Sequence, residues 1–242
     1  MVYVTGDIHG NQEKWIHYID PILKEQDILL VTGDFGMGFW YGPEYNEEQF
    51  LDWLQTRCYT VCFIDGNHEN FNLLNTYPVK KWNGGNVHFI RKNVIHLLRG
   101  EVFTVENHTY FVFGGGFSID KKYRLQDISW WIQEMPVQKE YENAKNNLIR
   151  YKYNIDYILT HTAPNQTIYY LKIKNKIKDA GLNELELNLF LDSIYQRSYY
   201  SHWYFGHFHM DQNLWRNQTV IFNSIRNIYT NEIITQWDFC DG

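Results

Sequence analysis

The sequence predicts an α/β protein built on a largely parallel sheet. Three observations carry that expectation: apolar runs end repeatedly in glycine-containing polar turns, a helix-like stretch follows each turn, and acidic, amide or histidine side chains stand in the turns themselves. At 242 residues, with 44% hydrophobic and 18% aromatic content, the chain can bury a sizeable core. Residues 1–242 are read as one domain, because the chemistry-bearing turns run through nearly the whole chain. The net charge of −6 excludes a polybasic nucleic-acid binder. It leaves an anionic substrate open, since carboxylates gathered at a metal site are offset by the bound cations.

The first unit is Val2-Tyr3-Val4-Thr5, a short buried strand that turns through Gly6-Asp7-Ile8-His9-Gly10 into a helix over 11–19. Asp7 and His9 are two residues apart, so they share one side of an extended strand end. A lone D-x-H is more often a turn or capping carboxylate, and it gains weight only from similar turns at later strand ends. The second unit is the apolar run 27–31, ending in Thr32-Gly33-Asp34-Phe35-Gly36. After it come an aromatic loop, Phe39-Trp40-Tyr41, and a helix over 46–56 with Phe50, Trp53 and Leu54 on one face. The third strand, 59–64, delivers Asp65-Gly66-Asn67-His68-Glu69. Cys58 and Cys62 flank or enter that strand and read as core thiols; with Cys240 they make an odd count without repeated C-x-x-C spacing.

From residue 86 the pattern changes. Short alternating runs at 87–90, 94–98, 101–105 and 109–113 predict an antiparallel meander. His88, His96 and His108 lie inside it without acidic or glycine context and are read as structural or exposed. Gly114-Gly115-Gly116 leads to a basic cluster, Lys121, Lys122 and Arg124, which is not a P-loop because the Gly-Lys-Ser/Thr ending is missing. A polar helix over 137–150 and a strand over 155–159 then bring the chain to Thr160-His161. Lys172, Lys174, Lys176 and Lys178 alternate with Ile173 and Ile177, which suggests an exposed amphipathic strand or an irregular cap. A helix over 183–195 leads to Trp203-Tyr204-Phe205 and Gly206-His207-Phe208-His209, where two histidines again stand two residues apart. Strands at 212–216, 219–222 and 232–237 finish the chain. It opens directly on a strand and holds no transmembrane-length apolar run, so a cytoplasmic protein without a membrane partner is expected.

Collected, the strand-end residues are Asp7, His9, Asp34, Asn67, His68, His161, His207 and His209. Carboxylate, amide carbonyl and imidazole donors together suit Mn, Fe, Zn, Co or Ni. The ordered set, D-x-H, G-D, G-N-H-E, a single His and G-H-x-H, resembles the calcineurin-like metallophosphoesterase superfamily over residues 6–209. The resemblance implies a sandwich of two mixed β-sheets flanked by helices. It also implies two divalent or trivalent metal ions, manganese favoured, and a phosphate-ester substrate, mono- or diester, hydrolysed by a hydroxide that the two metals activate. By position, Asp7, His9 and His209 would bind the first metal, Asn67, His161 and His207 the second, and Asp34 would bridge them. His68 takes the place of the family's non-ligand catalytic histidine, protonating the leaving alkoxide or helping to hold the phosphate.

The pattern departs from the family at Met37, where a second acidic residue often orients the catalytic histidine; Asp65 or Glu69 could substitute. Gly38 replaces the arginine of the Ser/Thr protein phosphatase branch, and His209 is present, so the chain is more similar to small bacterial and phage members. The stretch 114–124 and Trp130-Trp131 share that similarity, which makes Arg124 a candidate substrate contact. Two alternatives stand beside a general phosphoesterase. One is a nuclease or cyclic-nucleotide phosphodiesterase, with a nucleotide or nucleic acid as partner and a base stacked on Phe39-Trp40-Tyr41. The other is a non-catalytic scaffold, which would have lost ligands that this chain keeps.

Overall fold

A computed structural model describes residues 1–38, 46–174, 176–177 and 183–238. The Phe39-Trp40-Tyr41 loop, Lys178 and Cys240 lie outside these residues. Fourteen strands are present among the described residues: β1 Val2–Thr5, β2 Ile28–Val31, β3 Thr60–Phe63, β4 Val79–Trp82, β5 Gly85–Arg91, β6 Val94–Leu97, β7 Val102–Val105, β8 His108–Phe113, β9 Tyr157–Thr160, β10 His202–Phe205, β11 Gln212–Leu214, β12 Gln218–Val220, β13 Ser224–Asn227 and β14 Ile233–Gln236. They form two mixed sheets, ordered β14-β13-β1-β2-β3-β6-β5-β4 and β11-β12-β10-β9-β8-β7.

Alternation along the strands assigns the layers. Val2 and Val4 of β1, Leu30 of β2 and Cys62 of β3 point between the sheets and meet Val112, Leu159 and Tyr204 of the second sheet. Leu29, Val31, Val61 and Phe63 point the other way. There they pack under Trp15 and Ile19 and under α2, Glu47–Gln55, through Leu51 and Leu54. On the far side, Ile158, Trp203 and Phe205 pack against α4, Gln138–Arg150, through Tyr141 and Leu148, and against α6, Leu185–Arg197, through Leu187 and Leu191. Each fully buried side chain of this size contributes about 1.5–3 kcal/mol, so both helix layers are held by apolar burial. The other helices among the described residues are α1, Gln12–Lys14, which continues as a π-helix at Trp15–Ile19, α3, Phe71–Leu74, α5, Asn165–Ile173, and short 3-10 turns at Lys121–Tyr123 and Ile132–Glu134. Among the described residues no helix is long and apolar enough to cross a membrane.

β1, β2 and β3 are mutually parallel, as are β8, β9, β10 and β12 in the second sheet. The chain leaves β1, β2, β3, β9 and β10 through the turns that carry Asp7, Asp34, Asn67, His161 and His207, and these turns gather in one cluster. The expected antiparallel meander forms as two hairpins, β5 with β6 and β7 with β8, but it is split between the two sheets. β6 runs parallel to β3 and stays in the first sheet, whereas β7 pairs with β8 in the second. Alternation predicts a strand but not its partner. The lysine-rich stretch differs too: Lys172 and Ile173 end α5 rather than a strand. Cys62 is a buried thiol as expected, but Cys58 is exposed.

Candidate metal centre

Asp7 is fully buried, and its carboxylate accepts the His207 backbone N–H at 3.2 and 3.1 Å. His209 Nε2 lies 3.3 Å from Asp7 Oδ2, and His9 Nε2 lies 3.9 Å from the same oxygen. The two imidazole nitrogens stand 3.1 Å apart. Asp7, His9 and His209 therefore each offer a ligand atom within 4.8 Å of the others. Deeper in, His161 Nε2 lies 3.1 Å from Asn67 Oδ1 and 3.4 Å from Asp34 Oδ2. The His161 and His207 rings meet edge-on at 4.9 Å. Asp34 Oδ2 also lies 4.0 Å from His9 Nδ1, which puts one carboxylate between the two groups.

Local backbone geometry makes this convergence possible. His9, Asp34, His207 and His209 all have positive φ, between 46° and 68°, a conformation that non-glycine residues seldom adopt. Two glycines give the carboxylates room. A Cβ on Gly66 would sit 2.0 Å from Asp34 Oδ1, and one on Gly206 would sit 2.1 Å from Asp7 Oδ1.

The surrounding groups fix which atoms face the centre. His161 Nδ1 is 2.9 Å from the Thr32 carbonyl, so it carries the proton and Nε2 faces inward. Asn67 Nδ2 donates to Ser118 Oγ at 3.1 Å, and the Ser118 hydroxyl donates to Glu134 at 2.8 Å. That chain turns the Asn67 amide so that its carbonyl oxygen faces His161. The buried Lys14 amine donates to the Asp7 backbone carbonyl, and Phe222 stacks on His209 at 4.5 Å. Glu184 accepts from the Phe117 N–H, the Thr162 hydroxyl and the Asn188 amide, with His207 Nε2 4.0 Å away. Sequence reasoning misses Ser118, Glu134, Glu184 and Lys14: Ser118 lies in the glycine-rich exit of β8 but without an adjacent acidic or histidine residue, the other three sit in no strand-end glycine turn, and each reaches the centre only through tertiary contacts.

Charge is concentrated here. Burial opposes ionisation of Asp34, but His161 and His68 hold its carboxyl well below the usual range. Burial likewise opposes charge on His161, and Asp34 raises it to about 10. Burial pushes His68 down to about 4 against the pull of Asp34, so its imidazole is neutral at pH 7. The His68 backbone N–H donates to Asp34 Oδ1 at 2.7 Å, and His68 has a ligand atom within 4.8 Å of those of His9 and Asp34. Neither suggested substitute for the acid missing at Met37 is directed at it. The Glu69 carboxylate caps the backbone N–H groups of Phe35, Gly36 and Met37, and Asp65 is engaged by Arg99 and His96. Arg124 is paired with Asp120 through Nε at 2.6 Å, and its charge is close enough to His68 to disfavour protonation there.

Imidazole nitrogens, carboxylate oxygens and an amide oxygen, running from buried Asp7, Asp34, Asn67 and His161 out to exposed His209, form a donor set that fits first-row transition cations. A family model for calcineurin-like phosphoesterases matches residues 1–211. No curated protein matches the chain. Two mixed sheets, helices on their outer faces and a carboxylate–imidazole cluster at the strand ends agree with that match, which spans most of the sequence, and the chain belongs to the calcineurin-like phosphoesterase family.

Proposed function

We propose that the chain is a single-domain, binuclear metal-dependent phosphoesterase. The observation that carries the reading is the position of Asp34 between two donor groups. Asp7, His9 and His209 would hold one ion, Asn67, His161 and His207 the other, and Asp34 would serve both. Manganese is favoured among Mn, Fe, Zn, Co and Ni. Two such cations lower the pKa of water and neutralise charge on a transferring phosphoryl group.

The residues around them do the positioning. Neutral His68 offers an imidazole N–H to a phosphoryl or leaving-group oxygen rather than a standing positive charge. Arg124, held by Asp120, supplies cationic charge on the same side as His68. Ser118 and Glu134 keep the Asn67 carbonyl turned inward. The test is hydrolysis of aryl phosphomonoesters and diesters by the Mn-loaded protein. Activity well above an Asp34→Ala control is expected, and activity equal to that control would overturn the reading.

A further inference from the structure

The cavity over the strand-end cluster has a volume of about 520 Å³, in the range of sites that enclose a whole small ligand rather than a phosphoryl group alone. One part of its lining is the candidate metal centre. Much of the rest is apolar: Phe117, Ile119, Ile177 and Phe208. Phe208 stands edge-on to the His207 ring at 5.2 Å and to Phe205 at 5.9 Å, so its ring is fixed beside the centre. Phe117 is held through its backbone N–H by Glu184, and Lys121 sits 3.9 Å over its ring. Ile119 is 66% exposed, an apolar side chain presented to solvent at the edge of the cavity.

The acidic groups in this lining are already engaged. Glu184 accepts three hydrogen bonds from Phe117, Thr162 and Asn188, and Asp120 holds Arg124. A leaving group rich in hydroxyls would lose water here and, beyond the exposed Lys176 and Asn183 at the edge, find few polar groups in exchange. A flat ring loses little on desolvation and gains contact with aromatic and aliphatic surfaces.

We propose that Phe117, Ile119, Ile177 and Phe208 form a leaving-group subsite. It selects phosphate esters whose alcohol carries a flat aromatic ring, over aliphatic and polyol phosphates. This proposal rests on the phosphoesterase reading above.

The test compares kcat/KM within pairs of similar leaving-group alcohol, each assayed as monoester and as methyl diester with Mn-loaded full-length protein. Adenosine 5′-phosphate is set against ribose 5-phosphate, and benzyl phosphate against ethyl phosphate. About a tenfold or larger preference for the ring-bearing member is expected, shrinking in both Phe208→Ala and Ile119→Asp while bound metal is unchanged. Ile119 is exposed, so its substitution does not burden folding. Preference in the nucleoside pair alone or in the benzyl pair alone supports the subsite and identifies which ring it takes. Equal kcat/KM within both pairs would overturn the proposal and leave the phosphoesterase reading standing. So would a preference that neither variant reduces. No hydrolysis of any ester above the Asp34→Ala control would remove both.

Discussion

Two carboxylate–imidazole clusters flank the turn after β3, and they are wired in opposite ways. In the first, Asp7 Oδ2, His9 Nε2 and His209 Nε2 converge, with the two nitrogens 3.1 Å apart. In the second, Asp65, His96 and His88 form a line. Burial opposes ionisation of Asp65, yet Arg99 and His96 hold its carboxyl down to about 2, so it accepts a hydrogen bond from His96 Nε2 at 3.2 Å. With Nε2 turned to Asp65, His96 faces His88 Nδ1 through its own Nδ1, 3.3 Å away, so that one ring nitrogen donates to the other. The same residue types thus give a set of lone pairs aimed at one place and a chain in which each link satisfies the next. Convergence, not composition, distinguishes the centre proposed to hold cations.

The largest expected effect removes what the two donor groups share. Asp34→Ala should lose bound metal, measured by elemental analysis, and lower turnover at least about a thousandfold, since several kcal/mol of charge stabilisation go with it. Retention of two ions would break the comparison at its centre. His68→Ala comes next. Turnover should fall about 10²–10⁴-fold while the metals stay, because its expected part is hydrogen bonding to the substrate. His68 is near enough to His9 and Asp34 that release of metal by this variant would reassign it as a ligand. A smaller effect is expected at the support behind Asn67. Ser118→Ala frees the amide to turn its nitrogen inward, so metal affinity measured by calorimetry should weaken about 10–100-fold, with partial rescue in Ser118→Thr.

The same contrast explains how far the centre is legible in the sequence. The strand ends at Asp7, Asp34, Asn67, His161 and His207 are readable because each apolar run stops at a glycine or a short polar turn, and parallel strands bring such ends to one edge. What supports them is not. Ser118 reaches Asn67 across 51 residues and Glu134 reaches Ser118 across 16, and no local pattern announces either contact. β13 is not readable either, because Ser224, Arg226 and Asn227 look like loop residues. They are buried, with Arg226 bound to Asn213 and Asn231. The strand pattern around His88 and His96 is visible, but the sheet that receives each strand is not. Their link to Asp65 therefore emerges only from the fold.

The linear cluster makes its own, smaller prediction. Burial and the neighbouring His96 push His88 down to about 4 from an ordinary value near 6.5. Between those two values the unfolded chain binds the proton and the folded chain does not. Stability is therefore fully present above about pH 6.5 and falls as the pH drops toward 4, with a slope of at most about 1.4 kcal/mol per pH unit for one proton. Denaturant unfolding from pH 7 to pH 4 should show this loss, and His88→Gln should make it shallower while leaving metal content at pH 7 unchanged. A His88→Gln protein that lost its metals would mean that the line through Asp65 holds the Gly66-Asn67-His68 turn in place, and that the two clusters work as one unit.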